Sequence, residues 1–457
     1  MTVKKITALV LPTTIIFVLY WQLLIDFNQA ITLSITAITA VLWVTEWLPI
    51  PVTSLLPLAL FPLMGVLTPT AVAQAYGSPL IILMLGGFLL SSAMAHSNTH
   101  KYLANKILIT IGTDSPRKVI LGFMITAFSL SMWISNTATT LMLLPIAVAT
   151  ISYCNDQRFT VMLLLGIAYA ASIGGTLTPI GTPPNLIMIQ NYQQGTQIEI
   201  GFAQWMVHVA PMVLILFPLM TLIFIKQVSN NIQFDSSIKI KSKPLNTAQK
   251  RTLIVFSVTA LLWITRTVPM GGWKNGLKLE HANDASVALL GAVALFVIGN
   301  GKGGKLLTWH TANRIPWGVL LLFAGGIVIA AAFQANGLSA LLAEQLMFLK
   351  ELHVFFVILV ICLSITFLTE ITSNTATTAI IMPILFSASS AMDIDPIKIM
   401  IPAAISASCA FMLPVATAPN AIIYGTEKVP IRSMISQGFK LNILGALVIS
   451  TVATWWL

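Results

Sequence analysis

Apolar residues fall along this chain in blocks about twenty long, the length a helix needs to cross the hydrocarbon of a bilayer. The pattern predicts spanning segments at 6–25, 29–48, 50–67 and 79–98, followed by an amphipathic piece at 99–113. A long run at 117–152 comes next, then 160–192, interrupted by Pro179, Gly181, Pro183 and Pro184, and then 202–227. Residues 228–250 are polar, carry Lys239, Lys241 and Lys243, and read as a linker. Beyond them lie 251–269, 284–300, 316–337, a second amphipathic piece at 338–350, and runs at 353–391, 396–427 and 432–457. Met1 to Tyr20 begins with Lys4 and Lys5, but its apolar run ends at no small-residue cleavage site. It reads as a retained helix rather than a signal peptide.

Two of the long runs carry the same polar hexapeptide in their middle. Ser135-Asn136-Thr137-Ala138-Thr139-Thr140 recurs as Ser373-Asn374-Thr375-Ala376-Thr377-Thr378, and a proline follows each copy at the same spacing, Pro145 and Pro383. At membrane depth, polar backbone is tolerated only where it is buried in protein or lines a wet cavity. The two copies therefore read as facing halves of one binding site. Other pieces repeat in the same order. Leu42-Trp43-Val44-Thr45 matches Leu262-Trp263-Ile264-Thr265, and Gly86-Gly87 matches Gly325-Gly326. The break Pro179-Ile180-Gly181-Thr182-Pro183-Pro184-Asn185 matches Pro414-Val415-Ala416-Thr417-Ala418-Pro419-Asn420. Duplication of this kind marks many secondary transporters.

Orientation follows the positive charges. With the amino terminus inside and each hexapeptide run folded as a hairpin, all but five of the 24 Lys and Arg fall on the inner side. Arg266, Lys274, Lys278, Lys350 and Lys398 fall outside. The two repeats then run in opposite directions, and the hairpin tips meet near the midplane.

Composition fits this picture. The chain is 57% hydrophobic and 8% charged, against about 25% charged in a typical soluble protein. It reads as an all-α polytopic membrane protein with no separate soluble domain. The net charge of +10 belongs to cytoplasmic loops beside the lipid, not to a nucleic-acid partner. Cys154, Cys362 and Cys409 stand far apart in apolar context and read as small buried hydrophobes. The six histidines show no metal-ligand spacing, and no paired carboxylates, Ser-Lys or Ser-His pair of an intramembrane enzyme stands at membrane depth.

The chemistry of the hexapeptides points to ions. Ser, Asn and Thr cap helix starts, and a helix start offers free N–H donors and about half a positive charge. Carboxylates bind there without arginine, so two opposed tips suit a substrate with a negative group at each end. The residues before each tip end a helix, where carbonyls are free and the partial charge is negative. Ser131, Ser135 and Asn136 form one candidate cation cluster. Thr369, Asn374 and the Thr372 backbone form its mirror, with unwound backbone at Gly181-Thr182 and Ala416-Thr417 closing each cage. A single Ser or Thr in a membrane helix usually bonds back to a carbonyl; the repetition carries the functional reading. Glu370 reads as a paired structural carboxylate, and Glu46 and Arg266 end matching helices. Trp455 and Trp456 read as an interfacial belt.

At these residues the chain resembles, over nearly its whole length, the divalent anion–sodium symporter family of di- and tricarboxylate transporters. The resemblance implies a homodimer, eleven transmembrane helices and two re-entrant hairpins per protomer. It also implies an elevator mechanism. A scaffold domain, 1–113 and 251–350, would hold a moving transport domain, 114–227 and 351–457, across a cytoplasmic linker at 228–250. Carried over by motif, Ser135, Asn136, Thr137, Ser373, Asn374, Thr375 and Thr417 would contact substrate. Ala418, where many relatives carry proline, would be part of the same substrate site. Ser131, Ser135, Asn136 and Gly181 would hold one Na+, and Thr369, Thr372, Asn374 and Ala416 a second. In sodium-independent exchangers of the family the residue after Ser-Asn-Thr-Ala is often arginine; here it is Thr139 and Thr377, which favours sodium coupling. The expected function is Na+-driven uptake of succinate, malate or fumarate across a bacterial cytoplasmic (inner) membrane. The alternatives are dicarboxylate exchange without Na+, or citrate or sulfate as substrate.

Overall fold

The apolar runs become helices close to the bounds their pattern sets, and among the described residues no strand forms. The computed structural model describes residues 3–22, 24–112, 114–152, 154, 156–229, 244–268, 271–338, 341 and 351–457. Lys239, Lys241 and Lys243 of the linker, and most of the amphipathic piece at 338–350, lie outside the described residues.

Helices start where capping chemistry allows. Asp26 accepts from Gln29 N at 2.8 Å while Gln29 Oε1 accepts from Asp26 N at 3.0 Å, a reciprocal cap on Phe27–Thr45. Asn246 and Gln249 repeat that box before Thr247–Ile264. Pro79, Pro116, Pro183 and Pro396 each stand at a first helical position, where the missing N–H costs nothing.

Among the described residues, seven helices are long and apolar enough to span a membrane: Phe27–Thr45, Pro69–His96, Gln157–Thr176, Phe202–Lys226, Trp317–Ala335, Asn374–Met392 and Ile431–Trp456. The family resemblance implies eleven, and the long apolar runs of the sequence do not all stay whole. Four of those runs are split in two. The run at 117–152 gives Pro116–Ser131 and Asn136–Ile151, and that at 353–391 gives Val354–Thr369 and Asn374–Met392. The run at 160–192 gives Gln157–Thr176 and Pro183–Thr196, and that at 396–427 gives Pro396–Ser408 and Ala418–Tyr424. Each split falls on a hexapeptide or on a proline-rich break.

Gln157–Thr176 is the centre of the molecule. It is mostly apolar and buried at every position from Phe159 to Thr176, as a helix with neighbours on every side must be. It packs against Pro116–Ser131, Asn136–Ile151, Phe202–Lys226 and Ala418–Tyr424. Trp205 Nε1 donates to Thr176 O at 3.0 Å and satisfies one of the carbonyls freed at its end.

The two repeats interlock by exchange. Pro183–Thr196, which follows the break in the first repeat, packs on Asn374–Met392 of the second. Ala418–Tyr424, which follows the break in the second repeat, packs on Asn136–Ile151 of the first. The Gly-Gly helices do the same. Pro79–His96 lies on Asp284–Val297, and Trp317–Ala335 on Leu55–Leu63. At these crossings a Cβ on Gly86 would stand 2.4 Å from Ala288 Cβ, and one on Gly325 would stand 2.9 Å from Ser54 O. Lipid tails are as apolar as leucine, so helix association in a bilayer depends on close packing of small residues, which is what both Gly-Gly pairs provide.

Arg266 departs from its sequence reading. It was placed at an outer surface, but it is 1% exposed. Its Nε donates to Asp284 Oδ1 at 2.7 Å and its NH2 to Glu199 Oε1 at 2.6 Å. Asp284 Oδ2 in turn accepts from Phe202 N at 2.9 Å. A charge at this depth persists only when paired and hydrogen-bonded, and both acidic partners lie far from Arg266 in the sequence. All three cysteines are free and buried, as small hydrophobes are.

Candidate functional site

The polar positions of both repeats come together around one hollow of about 940 Å³, within the usual range for a small-molecule site. Ser135, Asn136, Thr137, Ser373, Asn374, Thr375, Thr417 and Ala418 line it, with Gly181, Thr372 and Ala416. Ser131 and Thr369 do not line it. They lie fully buried one layer behind, against the two asparagines.

Three helices of 14 residues or more begin at the wall. Asn136–Ile151 follows Ser135, Pro183–Thr196 follows Thr182 and Asn374–Met392 follows Ser373. Ser135 Oγ accepts from Ala138 N at 3.3 Å. Ser373 makes no side-chain cap, which leaves first-turn N–H groups open at the start of Asn374–Met392, whereas after Thr182 the first two residues are Pro183 and Pro184, which have no N–H, and Asn185 N donates to Thr182 O at 3.3 Å. Thr417 caps the short Ala418–Tyr424 through Asn420 N at 3.2 Å. Among the described residues, no Lys, Arg or His stands on the wall. The positive potential here comes from helix starts alone, each worth roughly half a charge.

Behind the hollow the repeats match atom for atom. Ser131 Oγ donates to Asn136 Oδ1 at 2.5 Å, and Thr369 Oγ1 donates to Asn374 Oδ1 at 2.5 Å. In each case the last turn of the entering helix holds the amide that opens the next. Asn136 also sits against the first break: a Cβ on Gly175 would stand 2.4 Å from its Oδ1, and one on Gly181 would stand 2.4 Å from Gly175 O. Glycine is required at both positions because backbone, amide and carbonyl approach within van der Waals contact. Thr369 Oγ1 also reaches Ala407 O at 3.2 Å, the corresponding turn of the second repeat. Thr372 Oγ1 pairs with Thr377 Oγ1 at 2.6 Å. These donor sets are hydroxyl, amide and carbonyl oxygens beside helix C-terminal ends, the groups that hold small hard cations in broken membrane helices.

Three features of the breaks escaped the sequence reading. Asn185 Nδ2 donates to the carbonyls of Gly175, Thr176 and Thr178, at 3.1, 3.2 and 2.8 Å. Asn420 Nδ2 donates to those of Ala410 and Leu413, at 3.0 and 3.1 Å. One amide thus gathers the carbonyls that each unwound stretch frees. Both Oδ1 atoms are buried and have no partner among the described residues, acceptors that a cation or water would satisfy. The repeated asparagine at the end of each break was the available signal. Third, the breaks are tied to the hairpins differently. In the first repeat Thr178 donates to Met132 O. At the matching position of the second stands Glu370. Its Oε1 accepts from Phe411 N, Met412 N and Asn442 Nδ2 at 2.7, 2.8 and 2.7 Å, and its Oε2 from Leu413 N at 2.9 Å. The structural role read for Glu370 is the one it has.

A polytopic helical protein whose duplicated motifs close on one polar hollow is a membrane transporter rather than an enzyme. Known proteins agree. A family model described as citrate transporter matches residues 40–397. The sodium-dependent dicarboxylate transporter SdcS of Staphylococcus saprophyticus is 40% identical over 447 residues, covering 92% of this chain and 84% of the relative. SdcS of Staphylococcus aureus is 39% identical over 443 residues, with the same shares. Two solved structures share the fold at low identity. The YdaH transporter of Alcanivorax borkumensis has a TM-score of 0.60 at 14% identity, over 86% of this chain and 87% of that one. MtrF of Neisseria gonorrhoeae has 0.58 at 15%, over 85% and 83%. The chain belongs to the divalent anion–sodium symporter family; it is an integral membrane protein.

Proposed function

We propose that this protein couples Na+ to the inward movement of C4-dicarboxylates such as succinate, malate or fumarate across a bacterial cytoplasmic membrane. One observation carries the reading: three helix starts face a hollow without a cationic side chain, and each motif asparagine is held from behind by a hydroxyl at a helix end. Helix starts favour carboxylates and helix ends favour cations, so anion and cations a few Å apart raise each other's affinity. The names of the SdcS relatives support sodium and dicarboxylate together.

In this reading Ser135, Asn136, Thr137, Ser373, Asn374, Thr375 and Thr417 hold the substrate, beside Ala418. One Na+ sits among Ser131, Ser135, Asn136 and the Gly181 carbonyl, the other among Thr369, Thr372, Asn374 and the Ala416 carbonyl. The hexapeptide runs are re-entrant hairpins, the shorter helices bring the spans to eleven, and the protein is a homodimer. The transport domain, 114–227 and 351–457, moves as an elevator against the scaffold, 1–113 and 251–350. A dianion entering against 100 mV costs roughly 4.6 kcal/mol, at about 2.3 kcal/mol per charge, and two Na+ cancel that and no more. The two-site cycle is therefore electroneutral. Citrate is a second reading, favoured by the description of the family model.

Proteoliposome uptake tests this. Succinate should accumulate in vesicles empty inside under an inward Na+ gradient, with an imposed potential changing the rate less than about twofold. Uptake that needs internal diacid and ignores Na+ would sink the symport reading in favour of exchange.

A further inference from the structure

Among the described residues, Glu46 is the only ionisable side chain on the wall of the hollow. Its presence opposes what the rest of the wall does, since every helix start there attracts anions. Three observations set it apart. It ends Phe27–Thr45 with φ of +49°, bonding back to Leu42 O at 3.0 Å, in a left-handed conformation normally given to glycine or asparagine. A long carboxylate is kept there despite that backbone cost. Its side chain is exposed to the hollow and makes no hydrogen bond or ion pair among the described residues. Its counterpart after Leu262-Trp263-Ile264-Thr265 is Arg266, which is buried and neutralised by Asp284 and Glu199. One repeat has cancelled the charge at this position; the other leaves it open in the cavity.

We propose that Glu46 is a charge filter that sets the substrate class of this site, admitting dianions and rejecting trianions of similar shape. The inference rests on the anion-transport reading above. Two cations balance two carboxylates, and a third carboxylate would meet Glu46 with nothing left to screen it. A hollow of about 940 Å³ is roughly 10 Å across. One extra unit charge at that distance, with an effective dielectric of about 20, is disfavoured by on the order of tenfold in affinity.

The test is calorimetric titration of purified full-length protein at neutral pH in saturating Na+, with succinate, citrate and a dianionic monoester of citrate. The wild type should bind the monoester on the order of tenfold more tightly than citrate. Glu46→Gln should raise citrate affinity relative to succinate by a similar factor, while Glu46→Asp, which keeps the charge, should leave that ratio within about twofold of the wild type. Equal wild-type affinity for citrate and its monoester overturns the filter without needing any variant. An unchanged ratio in Glu46→Gln, or the same rise in Glu46→Asp, also overturns it, the latter by assigning the effect to shape. If the wild type binds no diacid in Na+, the transport reading falls and takes the filter with it; if it binds succinate normally, only the filter is at stake.

Discussion

Glu370→Gln probes how the second break is held. Glu370 receives four donors, three from the consecutive backbone N–H groups of Phe411, Met412 and Leu413 and one from Asn442. Glutamine keeps the volume and one oxygen. With that oxygen turned to the three donors on Oε1, the new NH2 faces Leu413 N–H and strands it. A stranded buried donor costs about 1–3 kcal/mol, and hydrogen bonds to a charged acceptor are worth roughly 1 kcal/mol more each than neutral ones. A local penalty of about 2–4 kcal/mol follows. The loosened stretch leads into Ala416, whose carbonyl is assigned to the second cation. Where a site must form before it binds, apparent affinity falls with the population of the formed state, and about 2 kcal/mol is roughly thirtyfold. Proteoliposome uptake against Na+ concentration should therefore show half-saturation raised by about ten- to thirtyfold. Succinate half-saturation at saturating Na+ should move less than about twofold, because the first-repeat tip and Asn136 are untouched. A variant whose Na+ half-saturation and melting temperature both match the wild type would refute the clamp.

Other substitutions test separate parts of the site. Gly175→Ala places a Cβ 2.4 Å from Asn136 Oδ1, so it should displace that amide from Ser131 and cut uptake at least about tenfold while melting stays within a few degrees. Asn136→Ala or Asn374→Ala should abolish uptake in a protein that still folds and purifies as the wild type does; normal uptake in both would remove the motif asparagines from the site. Arg266→Ala strands the buried Asp284, while the half-exposed Glu199 turns to water, and should destabilise by about 3–5 kcal/mol, read as detergent melting. Adding Asp284→Ala should recover part of that loss, and no recovery would mean that the pair is not coupled.

The linear chain determined which segments are helical, where they break and most of the polar residues that line the hollow. Blocks of about twenty apolar residues can only be satisfied in lipid as helices, so the helices were legible. The two hexapeptides and the two breaks stood out because a polar cluster inside such a block has no other use than a buried or wet site. Local caps such as Asp26 with Gln29 depend only on neighbours three residues apart. Tertiary structure alone decided the exchange that sets each repeat's break against the other repeat's hairpin, because a repeat pattern looks the same whether its pieces pack within or across the halves. It also decided the fate of the ionisable residues. Arg266 and Glu46 occupy matching positions and differ only in sign, yet Arg266 is buried because Asp284 and Glu199 converge on it, and Glu46 faces the hollow because no basic group does. Whether a charge is neutralised or left open depends on partners distant in sequence, and those distances are set only when the helices pack.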